Sequence, residues 1–195
     1  SGYPLSLDEI KKFRQWNSKT PGHPEYDPEI GVETTTGPLG QGFGMGVGMA
    51  IAEKYLREFF NRPNFPIIDY YIYAICSDGD IMEGISSEAA SLAGHLKLGK
   101  LIYLYSDNKV TIEGSTDLSF SEDVAMRFRA YNWHVQKIDG YNLDEISNAI
   151  QEAKKEKEKP SLIIARTHLA FGCPNKQDKA NAHGSPLGEV EVKLT

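Results

Sequence analysis

Cysteine is scarce in this chain. Cys76 and Cys173 are the only two in 195 residues, too few and too widely spaced for a disulfide framework or a thiolate metal site. Long apolar runs are missing too: the apolar stretches are strand-sized and broken by Asp or Gly, far short of the roughly 20 residues of a membrane helix. No charged-then-apolar leader pattern stands at the N-terminus. Positive charge is in deficit, with 21 Lys and Arg against 27 Asp and Glu and a net charge of −6, so no basic stripe is available to grip nucleic-acid phosphates. Repeats and low-complexity tracts are absent. Together these absences argue against a membrane or nucleic-acid partner. They lead us to expect a cytoplasmic protein whose two cysteines are structural.

What is present is ordinary globular composition, 40% hydrophobic and 25% charged, in a length that supports one sizeable core. A single domain over residues 1–195 is the expectation. Leu7–Trp16 has near-helical apolar spacing, with Ser6 as N-cap and Glu9 three residues on. An irregular Pro-, Gly- and Thr-rich segment, Asn17–Gln41, follows, and loops of that length in a compact domain usually carry function. Met45–Phe60 reads as a helix ended by the prolines after it. Strands are expected at Asp69–Ser77, Lys100–Ser106, His134–Ile138 and Ser161–Thr167. They alternate with helices near Gly84–Leu98, Ser121–Asn132 and Asn142–Glu158. Such βαβ alternation specifies an α/β fold, a mostly parallel sheet with helices on both faces. The mixed-charge run Lys154–Lys159 reads as a solvated helix face, and Ala170–Thr195 as a second irregular, site-lining segment.

The most informative pattern lies at two strand ends. The run Asp69–Cys76 closes on Ser77-Asp78-Gly79, and Leu101–Tyr105 is followed by Asp107-Asn108. The residues between are enough for the helix of a parallel crossover. Asp78 and Asn108 therefore emerge side by side at the carboxyl edge of the sheet, where open α/β sheets bind ligands. A carboxylate beside a carboxamide is a hard oxygen pair, suited to a small divalent cation that completes its shell with water and phosphate oxygens. The pair reads as an anchor for a metal and a diphosphate.

Other candidates are weaker taken singly. Gly40, Gly42, Gly44, Gly46 and Gly48 alternate before a helix, but the spacing does not match a dinucleotide fingerprint and no strand precedes them. For Gly44, Gly46 and Gly48, close helix packing and ligand approach stand about equal. Gly37-Pro38-Leu39-Gly40 is more readily ligand-facing, a tight turn just ahead of a helix start. Among five histidines, His95 and His134 sit in helix and strand patterns and read as structural, and His168 ends a strand without further support. His23 and His183 lie in Gly/Pro loops and are the candidate polar catalytic groups. Asp80 reads simply as an acid favoured in a first helical turn. Glu83 stands at a fixed distance from the metal loop, where a site or interface role is plausible.

Taken together, these motifs make the chain similar to the diphosphate-binding domain of transketolase, a thiamine-diphosphate enzyme. The resemblance runs through Lys19-Thr20-Pro21-Gly22-His23-Pro24-Glu25, the stretch Gly31–Gly42, Asp78-Gly79 with Met82-Glu83-Gly84-Ile85-Ser86, the stretch Leu92–Lys100, and His183-Gly184-Ser185-Pro186-Leu187-Gly188. It covers essentially the whole chain.

The resemblance implies a thiamine-diphosphate-binding fold and a transferase that moves a two-carbon ketol unit between sugar phosphates through thiamine diphosphate. It implies that Asp78, Asn108 and the Val110 carbonyl hold Mg²⁺ or Ca²⁺ against the diphosphate. Gly79 would give a backbone N–H to a phosphate oxygen. Gly37, Pro38 and Leu39 would contact the thiamine rings, with Leu39 and Ile112 as apolar walls. His183 would touch diphosphate and substrate, His23 the substrate, and Glu83 would lie near a homodimer interface and couple two active sites.

Ser77 and Ser106 depart from the Gly and Asp usual in that family. The resemblance places this chain as part of that domain, lacking the pyrimidine-binding domain, which would belong to the same longer chain or to a separate subunit. By itself it is expected to be inactive. The rival readings are a natural cofactor-binding subunit of a split transketolase, and dihydroxyacetone synthase or deoxyxylulose-phosphate synthase among neighbouring enzymes.

Overall fold

A computed structural model describes residues 2–195. Four strands, β1 (Ile72–Ser77), β2 (Leu101–Asp107), β3 (His134–Asp139) and β4 (Ser161–Arg166), form one wholly parallel sheet in the order β1-β2-β4-β3. The register sets Ser77 opposite Ser106, Asp107 opposite Arg166, and Arg166 opposite Asp139. All four carboxyl ends therefore open on one edge.

Helices cover both faces, as the βαβ alternation leads one to expect. The helices are α1 (Leu7–Lys11), α2 (Gln41–Phe60), α3 (Asp78–Met82), α4 (Gly84–His95), α5 (Val124–Ala130), α6 (Leu143–Lys155) and α7 (Glu189–Leu194). Side chains alternate along each strand. Leu101, Tyr103 and Tyr105 of β2 join Phe43 and Val47 of α2, Ala90 and Ala93 of α4 and Phe128 of α5 in one cluster. Ile102 and Ile163 point the other way, onto Ala149 and Ala153 of α6. That second cover stops short of β1, where Tyr73 is 51% and Ile75 79% exposed. Parallel sheets are normally covered on both faces, so this corner of the site edge is unusual in presenting apolar side chains to solvent.

Helix α2 starts at Gln41, four residues ahead of the expected Met45, because its poor helix formers are overruled by packing. Fully buried Tyr103 stacks on Phe43 with ring centroids 4.2 Å apart and donates its hydroxyl to the Phe43 carbonyl at 2.6 Å. Gly46 leaves the room: a Cβ there would run into the Tyr103 hydroxyl. Nothing lies within 4 Å of a Cβ at Gly48. Helix packing thus accounts for Gly46 but not for Gly48.

At the N-terminus, Ser6 accepts from the Glu9 amide as expected, yet α1 ends at Lys11 and buries none of its residues. The apolar spacing that suggested a longer helix has no core to face. The crossover between β1 and β2 holds two helices, α3 and α4, where one was expected. The C-terminal segment includes the six-residue α7 in place of uninterrupted coil.

Opposite outcomes are expected at two neighbouring glycines. Gly46→Ala forces a methyl against Tyr103 and should cost about 1–3 kcal/mol, while Gly48→Ala, free of contacts on an exposed helix face, should gain about 0.5–1 kcal/mol. Urea denaturation of both variants checks this, and equal shifts would contradict the packing described.

Candidate cofactor and metal site

The site edge is organised around the β1–α3 junction. Ser77 ends β1 and caps α3: its hydroxyl and backbone amide both bond the Asp80 carboxylate, at 2.8 and 2.9 Å, closing a reciprocal capping box. A glycine at this position would lack the hydroxyl. The next residue, Asp78, is 1% exposed. Its Oδ2 accepts from the backbone amides of Asn108 and Lys109, at 3.2 and 3.3 Å, and its Oδ1 accepts from the Tyr105 hydroxyl at 2.6 Å. Burial, followed by the hydrogen bond to Asp78, pushes the Tyr105 phenol well above its ordinary range, so it is the neutral donor of this pair. The sheet register and these bonds bring Asp78 and Asn108 together as the strand ends suggested.

The oxygen inventory suits a hard cation. Asp78 makes no salt bridge among the described residues, since the nearby Lys109 ammonium is taken by Asp107 at 2.9 Å. Oδ2 already receives two donors and Oδ1 one, which leaves acceptor capacity on Oδ1. Asn108 turns its Oδ1 to the Val110 amide at 2.9 Å and retains a second lone pair there. Val110 is buried, and no donor among the described residues reaches its carbonyl. Lys109 adopts a left-handed backbone, φ 64°, which turns the chain sharply between these two ligand candidates. A carboxylate, a carboxamide and a backbone carbonyl make an all-oxygen donor set of the kind that Mg²⁺ and Ca²⁺ favour, and no group of three His, Cys, Asp or Glu side chains fit for a metal is found among the described residues.

A cavity of about 220 Å³ that reaches Asp80 at the β1–α3 junction is lined by His23, Gly37, Pro38, Leu39, Ile75 and Asp80, among others. The structure thus gathers four of the proposed ring- and substrate-contacting residues. Leu39 lies over Gly79, where a Cβ would come within 3.1 Å of its Cδ1. His23 packs against Gly37 and is exposed. Ile112 is exposed beyond Val110 in the loop after β2. His183 is set apart: it caps the short 3₁₀ turn Ala180–Ala182, half-buried, with no hydrogen bond from its ring to any of these residues. Glu83 begins α4 as an exposed N-cap, and its carboxylate has no hydrogen bond or ion pair among the described residues.

Asp80 does more than favour a helix start. Besides Ser77 it accepts from the Gly40 amide at 2.9 Å, so one carboxylate ties the 37–40 turn to the metal turn across forty residues of sequence. Gly40, φ 78°, is pressed onto Ile85 of α4 and its N-cap Glu83, where a Cβ would clash. Only the Asp-x-Asp spacing hints at this, and that spacing fits a helix start equally well. Tyr105 was hidden in the same way, as one more aromatic in an apolar strand. His168 also has a partner, Asp178 at 2.7 Å, which closes the loop leading toward His183.

Comparison with known proteins points to one family. The family model described as "Transketolase, thiamine diphosphate binding domain" matches residues 1–195. A transketolase from Halalkalibacterium halodurans is 59% identical over 196 residues, covering 100% of this chain and 29% of that protein. Among solved structures, transketolase from Leishmania mexicana superposes with a TM-score of 0.94 at 47% identity, covering 99% of this chain and 29% of the other. A Pichia stipitis transketolase in complex with sedoheptulose 7-phosphate gives the same TM-score, identity and coverage. The chain spans under a third of the length of each.

Asp80→Asn replaces one acceptor oxygen with a donor that faces either Gly40 or Ser77. With a charged acceptor lost, it should cost about 1.5–3 kcal/mol by urea denaturation and speed exchange of the Gly40 amide. Wild-type stability would show that the link between the two turns carries no weight.

Proposed function

This chain belongs to the transketolase thiamine-diphosphate-binding domain family, and from that premise we propose that it forms the diphosphate- and metal-binding part of a transketolase. In that enzyme a two-carbon ketol unit passes from a ketose phosphate to an aldose phosphate. The observation that carries the reading is Asp78, a fully buried carboxylate given three neutral donors and no cation. An uncompensated buried charge is costly, and a divalent ion supplies what the protein leaves out.

Mg²⁺, or Ca²⁺, would be held by Asp78, Asn108 and the Val110 carbonyl. Gly79 would offer its amide to a phosphate oxygen, and Gly37, Pro38, Leu39 and Ile112 would border the rings. When bound, thiamine diphosphate supplies the nucleophilic carbon and the electron sink. The chain's own part is to orient and to shield. Exposed apolar side chains at Leu39, Ile75 and Ile112 gain a partner and exclude water on binding. The His23 imidazole, set in the same cavity as Leu39, hydrogen-bonds substrate and assists proton transfer. His183 reaches diphosphate and substrate from the C-terminal loop.

Glu83, exposed and unpaired here, serves the interface of a homodimer. The pyrimidine-binding domain comes from the same longer chain or from a separate subunit, the isolated chain is without turnover, and the working compartment is the cytoplasm.

Calorimetric titration with thiamine diphosphate, with and without Mg²⁺, tests the reading. Metal-dependent binding is expected, lost in Asp78→Ala and weakened roughly 10–100-fold in Tyr105→Phe, the usual range for a partner that orients a metal ligand. Binding that ignores both Mg²⁺ and Asp78 would contradict the assignment.

A further inference from the structure

The oxygen cage is assembled from two segments that share no backbone. Asp78 opens α3, whereas Asn108 and Val110 lie in the loop from β2 to α5, which ends near Glu122. One side chain outside the cage holds both segments. Arg127, on α5, donates from Nη2 to the Ile81 carbonyl at 2.9 Å and pairs through Nη1 with Glu122 at 2.7 Å. Ile81 is fully buried one residue before the end of α3, so this bond fixes the far end of the turn whose first residue is Asp78. Glu122 and Phe120 lie at the far end of the loop that carries the other ligands.

The guanidinium lies 5.9 Å from the Phe120 ring centroid and 5.6 Å from that of Phe128, with the side chain only 17% exposed. Its Nε is buried and has no acceptor among the described residues. A buried donor without a partner is a standing cost, which argues that the arginine is kept for where it places its two ends. Lysine is no substitute for such a fork, since a single ammonium cannot span both acceptors.

We infer that Arg127 is a positioning residue for the metal cage, a strut that sets Asp78 against Asn108 and Val110 from behind. Its hydrogen-bond and ion-pair partners, the Ile81 carbonyl and Glu122, are not among the three candidate ligands. The inference rests on the cofactor reading above for its consequence, but not for its geometry.

The test therefore has two arms, run on the chain with Arg127→Lys, Arg127→Ala and Glu122→Gln. In the ligand-free protein, hydrogen exchange of the Asn108 and Lys109 amides, both bonded to Asp78, should speed about tenfold or more in the Arg127 variants and less in Glu122→Gln. The Tyr103 and Ile163 strand amides should exchange at wild-type rates. Millimolar guanidinium should restore protection in Arg127→Ala. In the second arm, with Mn²⁺ and thiamine diphosphate as probe, the same variants should bind about tenfold or more weakly, the low end of the range for outer-shell partners.

Wild-type exchange at Asn108 and Lys109 in Arg127→Lys overturns the strut. Faster exchange throughout the sheet in Arg127→Ala would mean that this variant is unfolding, and Arg127→Lys with Glu122→Gln then decides. If the wild-type chain itself binds no Mn²⁺ with thiamine diphosphate, the cofactor reading fails for this chain while the exchange arm still decides on Arg127.

Discussion

A carboxylate buried without a cation is the constraint on which this structure turns. Asp78 sits at the point where β1 stops and α3 begins, out of contact with water. Its three donors come from elsewhere: the Tyr105 hydroxyl from inside β2, and the Asn108 and Lys109 amides from the turn just after it. The register of β1 against β2 is what delivers those donors, and a one-residue slip would move every one of them. Neutral hydrogen bonds ease the burial of one negative charge but do not cancel it. On the reading proposed above, a cation from outside the protein meets the remaining demand, and the nearby lone pairs of Asn108 and the Val110 carbonyl suit a hard one.

Around that charge, the fold ties its loops together with single side chains in place of continuous secondary structure. Asp80 joins the 37–40 turn to the β1–α3 junction, Arg127 joins the end of α3 to the loop after β2, and Asp178 closes the loop that leads to His183. Each link spans segments far apart in sequence. The result is a sheet edge whose loops are tied, link by link, around Asp78. The apolar corner formed by Leu39, Ile75 and Tyr73 stays open beside it.

Much of this was legible in the sequence because strand ends are punctuated. Apolar runs that close on Asp-Gly and Asp-Asn marked the two segments that meet at the sheet edge, and βαβ alternation marked a parallel sheet with helices on both sides. Ser6 was legible as a cap for the same local reason. The features that escaped depend on long-range partners. Gln41–Gly44 reads as loop because glycine is a poor helix former, and only Tyr103 packing on Phe43, with room left at Gly46, explains why it is helix. Asp80 looks like any acid at a helix start, and Tyr105 and Arg127 look like strand and helix filler. Their roles exist only once segments tens of residues apart are brought together. The extended reading of α1 failed for the opposite reason, since periodicity with no face to bury against does not sustain a helix.

The most direct measurement is the anomalous diffraction signal of Mn²⁺ in crystals of this chain grown with thiamine diphosphate. The account predicts one strong peak within roughly 2.0–2.6 Å, the range of Mg²⁺ and Ca²⁺ oxygen distances, of Asp78 Oδ1, Asn108 Oδ1 and the Val110 carbonyl, with the diphosphate over Gly79. A bound cofactor whose metal lies away from these three oxygens would contradict it.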